Sequence, residues 1–175
     1  MEYSNEIIEH ILQTHRQDIG IDFAKYRNHV YRVFHNCLLI DNDKGSLEKY
    51  AIASAFHDIG IWTNHTIDYL DPSIKEAELY LIQSGKQSMA EEIQLMIYWH
   101  HKVTRYEGPY KTVAHFRKAD WIDVSLGWLT FGHDRRKIET LRNAFPNKGF
   151  HLYLLKQIAY NFFRHPFNPL PMFKQ

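Results

Sequence analysis

Apolar residues recur at helical spacing along most of the chain, and no segment shows the alternation typical of a half-buried strand. The clearest case follows Asp22 and continues to about Ile40. The apolar face of this segment consists of Phe23, Tyr26, Val30, Val33, Phe34, Cys37 and Leu38. Asp is a residue type that caps helices, so we predict a long helix that starts after Asp22. The chain is therefore predicted to be all-α.

Turn and capping residues divide the rest of the chain into further helices. We predict a first helix after Ser4 or Asn5 and another after Ser46, which ends near Gly60. Asp71 should cap a helix that stops at Gly85. A capping-box pattern, Ser-Met-Ala-Glu at 88–91, precedes the next helix. Later helices are expected at about 112–123, 134–144 and 150–164.

These elements predict a single-domain helical bundle of about six to eight helices that spans residues 1–175. Its core lies at about 22–124, and the region 125–175 adds a C-terminal helix and a proline-rich tail with Pro166, Pro169 and Pro171. A chain of 175 residues is long enough to bury a core of its own.

Composition limits the partners that we expect. The 21 Lys and Arg residues nearly balance the 20 Asp and Glu residues, so no global positive field would attract a nucleic-acid polymer. No apolar run approaches the roughly 20 residues that span a bilayer, and the first residues lack the pattern of a signal peptide. The single cysteine suits a reducing compartment. We expect a soluble, cytoplasmic protein without a membrane partner, and the sequence leaves open whether it forms a homodimer.

A histidine–aspartate doublet, His57-Asp58, stands at the end of an apolar helical run and just before a glycine. Residues of the same chemistry lie on other predicted helices: His29, the pair His100-His101, and Asp120. Imidazole nitrogens and carboxylate oxygens together bind Zn, Mn, Fe, Co or Ni. Helices that bring several such groups together would bury unpaired carboxylates at high cost unless a cation were present. The pattern therefore indicates a metal site.

The order His, His-Asp, Asp resembles that of the HD-domain superfamily of metal-dependent phosphohydrolases. The stretches that carry the resemblance are Arg-Asn-His29-Val-Tyr-Arg-Val, Ala-Phe-His57-Asp58-Ile-Gly and Lys118-Ala-Asp120-Trp-Ile-Asp. The resemblance implies an all-α fold and one divalent transition metal held by His29, His57, Asp58 and Asp120. It also implies hydrolysis of a small phosphate ester, which could be a nucleotide, with Asp58 bridging metal and water.

The pair His100-His101 leaves the number of metals open. In two-metal branches of the superfamily, which include the HD-GYP phosphodiesterases and di-iron oxygenases, histidines from two later helices hold a second ion. One such position is met by His100 or His101, whereas residues 72–76 contain no histidine; Glu76 or Glu78 could substitute. A di-iron oxygenase and a non-catalytic module clamped by a metal are therefore the alternatives to a one-metal hydrolase.

With one metal, His100 is the predicted general acid, because an imidazole can carry a proton at neutral pH. The predicted substrate-binding residues are His101 and four cationic residues that could bind phosphate: Arg32, Lys102, Arg105 and Lys118. Arg32 is the first choice because it lies one turn after His29. The loops at 62–70 and 102–110 are expected to rim the site.

Overall fold

The computed structural model describes residues 4–164, which form helices joined by turns and loops, without a strand in that range. The predicted all-α fold is confirmed. The helices are α1 (Glu6–Thr14), α2 (Arg16–Ile19), α3 (Phe23–Ile40), α4 (Leu47–Phe56), α5 (Gly60–Thr63), α6 (Leu70–Gln83), α7 (Ala90–Trp99), α8 (Lys111–Val124), α9 (Arg135–Ala144) and α10 (Phe150–Arg164). Helices α2 and α5 are single turns of four residues. The predicted tail with Pro166, Pro169 and Pro171 lies outside the described residues.

Helix α3 lies at the centre of the fold and packs against α8 and α4. Helix α4 also contacts α1, α6 and α7, and its residues 50–56 are all buried. A helix that is apolar on all sides belongs inside a core, and the run Ala-Ile-Ala-Ser-Ala-Phe at 51–56 has this composition. Because α4 ends inside the core, the residues that follow it, His57 and Asp58, are buried as well.

In the part of the chain that the structure describes, no helix combines the length and the apolar composition that a bilayer crossing requires.

Two of the helix starts are capped by side chains. Asn5 accepts hydrogen bonds from the backbone N–H groups of Ile7 and Ile8, and Asp134 accepts one from Arg136. These bonds satisfy backbone donors that have no partner within the helix.

Three other predicted caps are wrong. Asp22 precedes α3, but its carboxylate pairs with Lys25 and accepts a hydrogen bond from the Trp62 indole. Ser46 precedes α4, but its hydroxyl donates to Asp43. Helix α6 begins at Leu70, so Asp71 is inside its first turn. A short 3₁₀ turn at Gln87–Met89 also replaces the expected capping box. For Asp22 and Ser46, a tertiary contact or a turn takes the side chain that the helix would use.

The prediction that the helix after Ser46 ends near Gly60 is wrong. Helix α4 ends at Phe56, and Gly60 begins the single turn α5. The chain passes so close to the start of α6 that a Cβ at this position would lie 2.5 Å from the backbone oxygen of Tyr69 and 2.8 Å from the Cβ of Pro72. The absent side chain thus lets α6 approach the turn that follows Asp58.

Replacement of Gly60 by Ala should destabilise the fold, because backbone atoms would have to move to admit the methyl group. We expect a loss of about 1–3 kcal/mol in the free energy of unfolding, measured by urea denaturation. Gly45→Ala is the matched control, because its new Cβ would meet only the side chain of the exposed residue Asp43, at 3.3 Å. Equal stability of the Gly60 and Gly45 variants would contradict the close approach.

Candidate metal centre

Four core helices each contribute to one buried cluster of histidines and aspartates. His29 lies in the middle of α3, and Asp120 lies on the buried face of α8. His57 and His100 are the residues that directly follow α4 and α7, and each is followed by a second member of the cluster, Asp58 or His101. The side chains of His29, His57, Asp58, His100 and Asp120 are at most 2% exposed.

The first group of possible metal ligands consists of His29, His57 and Asp58. The Nε2 atoms of the two histidines lie 2.8 Å apart, and Asp58 Oδ2 is 3.4 Å from the Nε2 of His29. Asp120 stands beside this group, with Oδ1 3.8 Å from the Nε2 atoms of both histidines. The structure thus brings the four residues implied by the resemblance together around one point.

A second group shares Asp58 with the first and adds His100 and His101. Asp58 Oδ1 lies 3.3 Å from the Nε2 of His100 and 4.0 Å from that of His101. The side chain of His101 is 14% exposed, which makes it the most accessible member of the cluster. Glu76 and Glu78, the suggested substitutes for a missing histidine, belong to neither group. The cluster could therefore hold one metal ion or two.

The histidines are oriented by hydrogen bonds from their outer ring nitrogens. His57 Nδ1 donates to the backbone oxygen of Ser54 at 2.8 Å, and His100 Nδ1 donates to that of Ile97 at 2.5 Å. His29 Nδ1 lies 2.7 Å from Asp123 Oδ2 and donates to it. A proton on Nδ1 leaves Nε2 as the nitrogen that can bind a metal. All three histidines present Nε2 to the centre of the cluster.

Asp123 is a site residue that the sequence analysis missed. It accepts two hydrogen bonds from Arg32, at 2.5 and 2.9 Å, in addition to the one from His29. Arg32 also donates to the backbone oxygen of Phe145 and is 1% exposed. This placement does not fit the predicted role of Arg32 as a phosphate ligand, because Asp123 occupies its guanidinium. The available signal was that Asp123 stands three residues after Asp120, on the same face of a helix.

Several polar atoms at the centre are buried without a hydrogen bond from residues 4–164. They are Asp58 Oδ1, His100 Nε2 and both carboxylate oxygens of Asp120. Burying such atoms without a partner costs free energy, and a metal ion accepts electron pairs from all of them. The chemistry of this donor set, imidazole nitrogen with carboxylate oxygen, fits a transition metal. The cluster is suited to hold a cation.

The electrostatics of the metal-free cluster separates its acids and bases. Burial raises the pKa of Asp58, but His57, His100 and His29 outweigh it and hold this pKa well below its usual range. Burial raises the pKa of Asp120 to about 7, with Asp58 adding to the effect. For His57, a base, burial disfavours the charged form in the same way and lowers the pKa to about 3. For His29, the carboxylates of Asp123 and Asp58 overcome burial and raise the pKa to about 9. Without a metal, His29 is therefore protonated at neutral pH.

The metal-free protein should lose stability as the pH rises from about 6.5 to about 9. The pKa of His29 rises on folding from 6.5 to about 9, so its proton stabilises the fold fully below pH 6.5 and the contribution disappears above pH 9. Asp120, with its pKa raised from 3.8 to about 7, changes stability in the same direction but mostly below pH 7, so it adds little in this window. Burial lowers the pKa of His100, but Asp58 and Asp120 outweigh it, and the raised pKa contributes in the same direction. The lowered pKa values of His57 and His101 act below pH 6.5, outside this window.

Urea unfolding of chelator-treated protein at pH 6.5 and at pH 9 measures this effect, which should amount to a few kcal/mol. Saturating metal should reverse the trend, because metal binding requires deprotonated ligands and strengthens as the pH rises. Metal-free protein that gained stability between these pH values would contradict the assignment of the proton to His29.

The other predicted substrate-binding residues lie in three places. His101 is in the cluster, and its Nε2 accepts a hydrogen bond from the Tyr69 hydroxyl. Lys102 is buried, with its ammonium 4.5 Å from the centre of the Tyr98 ring. Arg105 and Lys118 line a separate surface pocket that contains no residue of the cluster. The structure therefore does not bring these two residues to the metal centre.

Comparison with protein-family models, curated proteins and solved structures yielded no match for this chain.

Proposed function

We propose that the chain is a metal-dependent phosphohydrolase of the HD-domain type, acting on a small phosphorylated compound. The observation that carries the proposal is the set of buried donor atoms at the cluster centre, three carboxylate oxygens of Asp58 and Asp120 and the Nε2 of His100, that have no hydrogen-bond partner within residues 4–164. The motif order His, His-Asp, Asp supports a hydrolase over a purely structural site. In this proposal His29, His57, Asp58 and Asp120 hold one divalent transition metal.

A divalent metal in this position would lower the pKa of a water molecule from about 15.7 towards 7 and polarise a phosphoryl oxygen. The chain's own residues would supply the remaining functions. The Asp58 carboxylate, ionised at neutral pH because its pKa is lowered, would accept a hydrogen bond from that water. The carbonyl oxygens of Ser54 and Ile97 keep two histidines fixed while the reaction proceeds.

His101 and Tyr69 form the part of the cluster that a substrate can best reach. His100 is fully buried, whereas His101 is partly exposed and bonded to the Tyr69 hydroxyl. Burial raises the pKa of Tyr69 well above its usual range, so this phenol keeps its proton. Burial and the charge of His100 lower the pKa of His101 well below its usual range, so its imidazole is neutral, and Tyr69 is the group at this accessible edge that carries a proton for the leaving group. In the two-metal alternative, His100 would be a ligand of the second ion.

A two-metal enzyme is the second candidate, because Asp58, His100 and His101 form a second group that shares one carboxylate with the first. Two ions would suit either a phosphodiesterase or a di-iron oxygenase.

Elemental analysis of untagged protein, before and after incubation with Mn, Fe, Co, Ni or Zn, separates these candidates. About one metal per chain, together with metal-dependent release of phosphate in a screen of phosphate monoesters and diesters, is the expected result. Two irons per chain and consumption of oxygen would favour the oxygenase. Metal bound without turnover of any ester or oxygen would favour a metal-clamped binding module. Absence of metal under every condition would overturn the proposal.

A further inference from the structure

A basic surface pocket lies on the side of α8 that faces away from the metal centre. Its volume is about 410 Å³, and it is formed by the loop at 103–110 and the first two turns of α8. Lys111 and Lys118 lie seven residues apart, so both project from the same face of the helix. Lys118 stands two residues before Asp120, which corresponds to a rotation of about 200° around the helix axis. The pocket and the cluster therefore occupy opposite faces of α8.

The pocket concentrates positive charge. Arg105, Lys111, Arg117 and Lys118 all line it, together with His115, and no carboxylate is among its lining residues within 4–164. Within residues 4–164, no carboxylate forms an ion pair with Arg105, Lys111 or Lys118. The near-neutral total charge of the protein makes this local excess distinctive. Two acids contact its edge, since Asp41 lies 3.4 Å from His115 and Glu91 accepts a hydrogen bond from Tyr110. The four Arg and Lys side chains outnumber these acids, and such an excess of positive charge favours an anionic ligand.

Two further features add donors to the pocket. The Nε of Arg117 is buried and has no acceptor among the described residues, whereas its Nη1 is held by the backbone oxygen of Lys102 at 3.0 Å. Helix α8 begins at Lys111 without a side-chain cap, so its first N–H groups and the positive end of its dipole face this region. Tyr106 forms one wall and is held by an edge contact with Trp99.

We propose that this pocket is a binding site for a small molecule with a phosphate or polyphosphate group, separate from the metal centre. Arginine and lysine donors are the groups that recognise phosphate oxygens in proteins, and the buried Nε of the half-buried Arg117 supplies a donor that needs an acceptor. The site does not depend on the proposed hydrolysis, because it shares no residue with the cluster. It accounts for Arg105 and Lys118, which the sequence analysis had assigned to the substrate of the metal centre.

The test is calorimetric titration of chelator-treated protein with inorganic tripolyphosphate. We expect binding of one ligand per chain with a Kd of about 1 mM or tighter at moderate salt. The triple variant Arg105→Ala, Lys111→Ala, Lys118→Ala should bind roughly tenfold or more weakly, because three charged donors are lost. The matched control is Arg136→Ala, Lys137→Ala, which removes exposed cations from α9, outside the pocket. Its affinity should equal that of the wild type.

Ala114→Glu provides a second variant, because Ala114 lines the pocket and Glu adds a negative charge while remaining a good helix former. It should also abolish binding, and circular dichroism checks that each variant is folded. Titration of Asp58→Asn separates the two sites: unchanged affinity for tripolyphosphate supports the pocket. Affinity that is lost with Asp58, or retained in the triple variant, would overturn the proposal. Binding of single-stranded RNA but not of tripolyphosphate would overturn it as well.

Discussion

Replacement of Asp58 by Asn is expected to remove metal from the protein and abolish any metal-dependent hydrolysis. Asp58 is the one residue common to both groups of possible ligands, with Oδ2 directed to His29 and Oδ1 to His100. The substitution keeps the shape of the side chain but exchanges an ionised oxygen for an amide, which is a poor ligand for a transition metal. The loss of affinity should exceed the roughly 10–100-fold that is typical for a group outside the coordination shell.

Metal content per chain after dialysis measures this effect, and circular dichroism verifies that the variant is folded. Asp18→Asn is the matched control, because Asp18 is about half exposed and makes only a surface contact with His15. The control should retain the metal content and the activity of the wild type. Wild-type metal content in the Asp58 variant would show that the cluster is not the metal site.

Replacement of Asp123 by Ala should cause the largest loss of stability among single substitutions at the site. The carboxylate is buried, and it is the ionic partner that Arg32 contacts at 2.5 Å. Burial raises the pKa of Asp123, but Arg32 and His29 outweigh it and keep this pKa well below its usual range. Its removal would leave the arginine charged and buried, which costs about 3–5 kcal/mol.

Urea denaturation, with a thermal scan as a second measurement, checks this prediction; the midpoint of thermal unfolding should fall by roughly 10 °C. The control is Glu9→Ala. Glu9 lies on α1, and its carboxylate contacts Arg27, which is on α3 like Arg32. The Glu9–Arg27 pair is about one-third exposed, and Glu9 also accepts a hydrogen bond from the Tyr31 hydroxyl, so the loss of both contacts should cost about 1–2 kcal/mol. Similar losses for the two variants would contradict the structural role assigned to Asp123.

Asp123 should also affect the affinity for metal, because it orients the metal ligand His29. In Asp123→Asn, which preserves the shape of the side chain, His29 loses an ionised hydrogen-bond partner. The affinity for metal should fall by roughly 10–100-fold, the range seen for partners of metal-bound histidines. A competition titration with a chelator measures it and distinguishes this positioning role from a purely structural one.

The helices were largely predictable because apolar spacing is a property of the sequence itself. The bounds of α3, α9 and α10 agree with the prediction to within one residue. The caps were less predictable, because Ser46 and Asp22 are recruited by turns and by tertiary contacts with Asp43 and Trp62. Such competition depends on the folded arrangement and leaves no pattern in the local sequence.

The members of the cluster could be found from residue type, since His57-Asp58 and His100-His101 stand out in the sequence. The residues that surround the cluster could not be found from residue type. Asp123 is identical in type to many surface aspartates, so its position one turn after Asp120 is a weak signal, and its contact with Arg32 in the structure reveals its function. Lys118 was misassigned because closeness in sequence to Asp120 does not imply closeness in space on a helix.

The spacing of the cluster along the chain has a consequence for the kinetics of folding. His29 and His57 are separated by 28 residues, and Asp120 follows His29 by about 90 residues. Such distant segments meet only after most of the chain has collapsed, because closing long loops costs entropy before any contact forms. A metal that requires all of them would bind after the transition state. Its stabilisation would therefore appear almost entirely as slower unfolding, and the rate of refolding would be the same with and without metal.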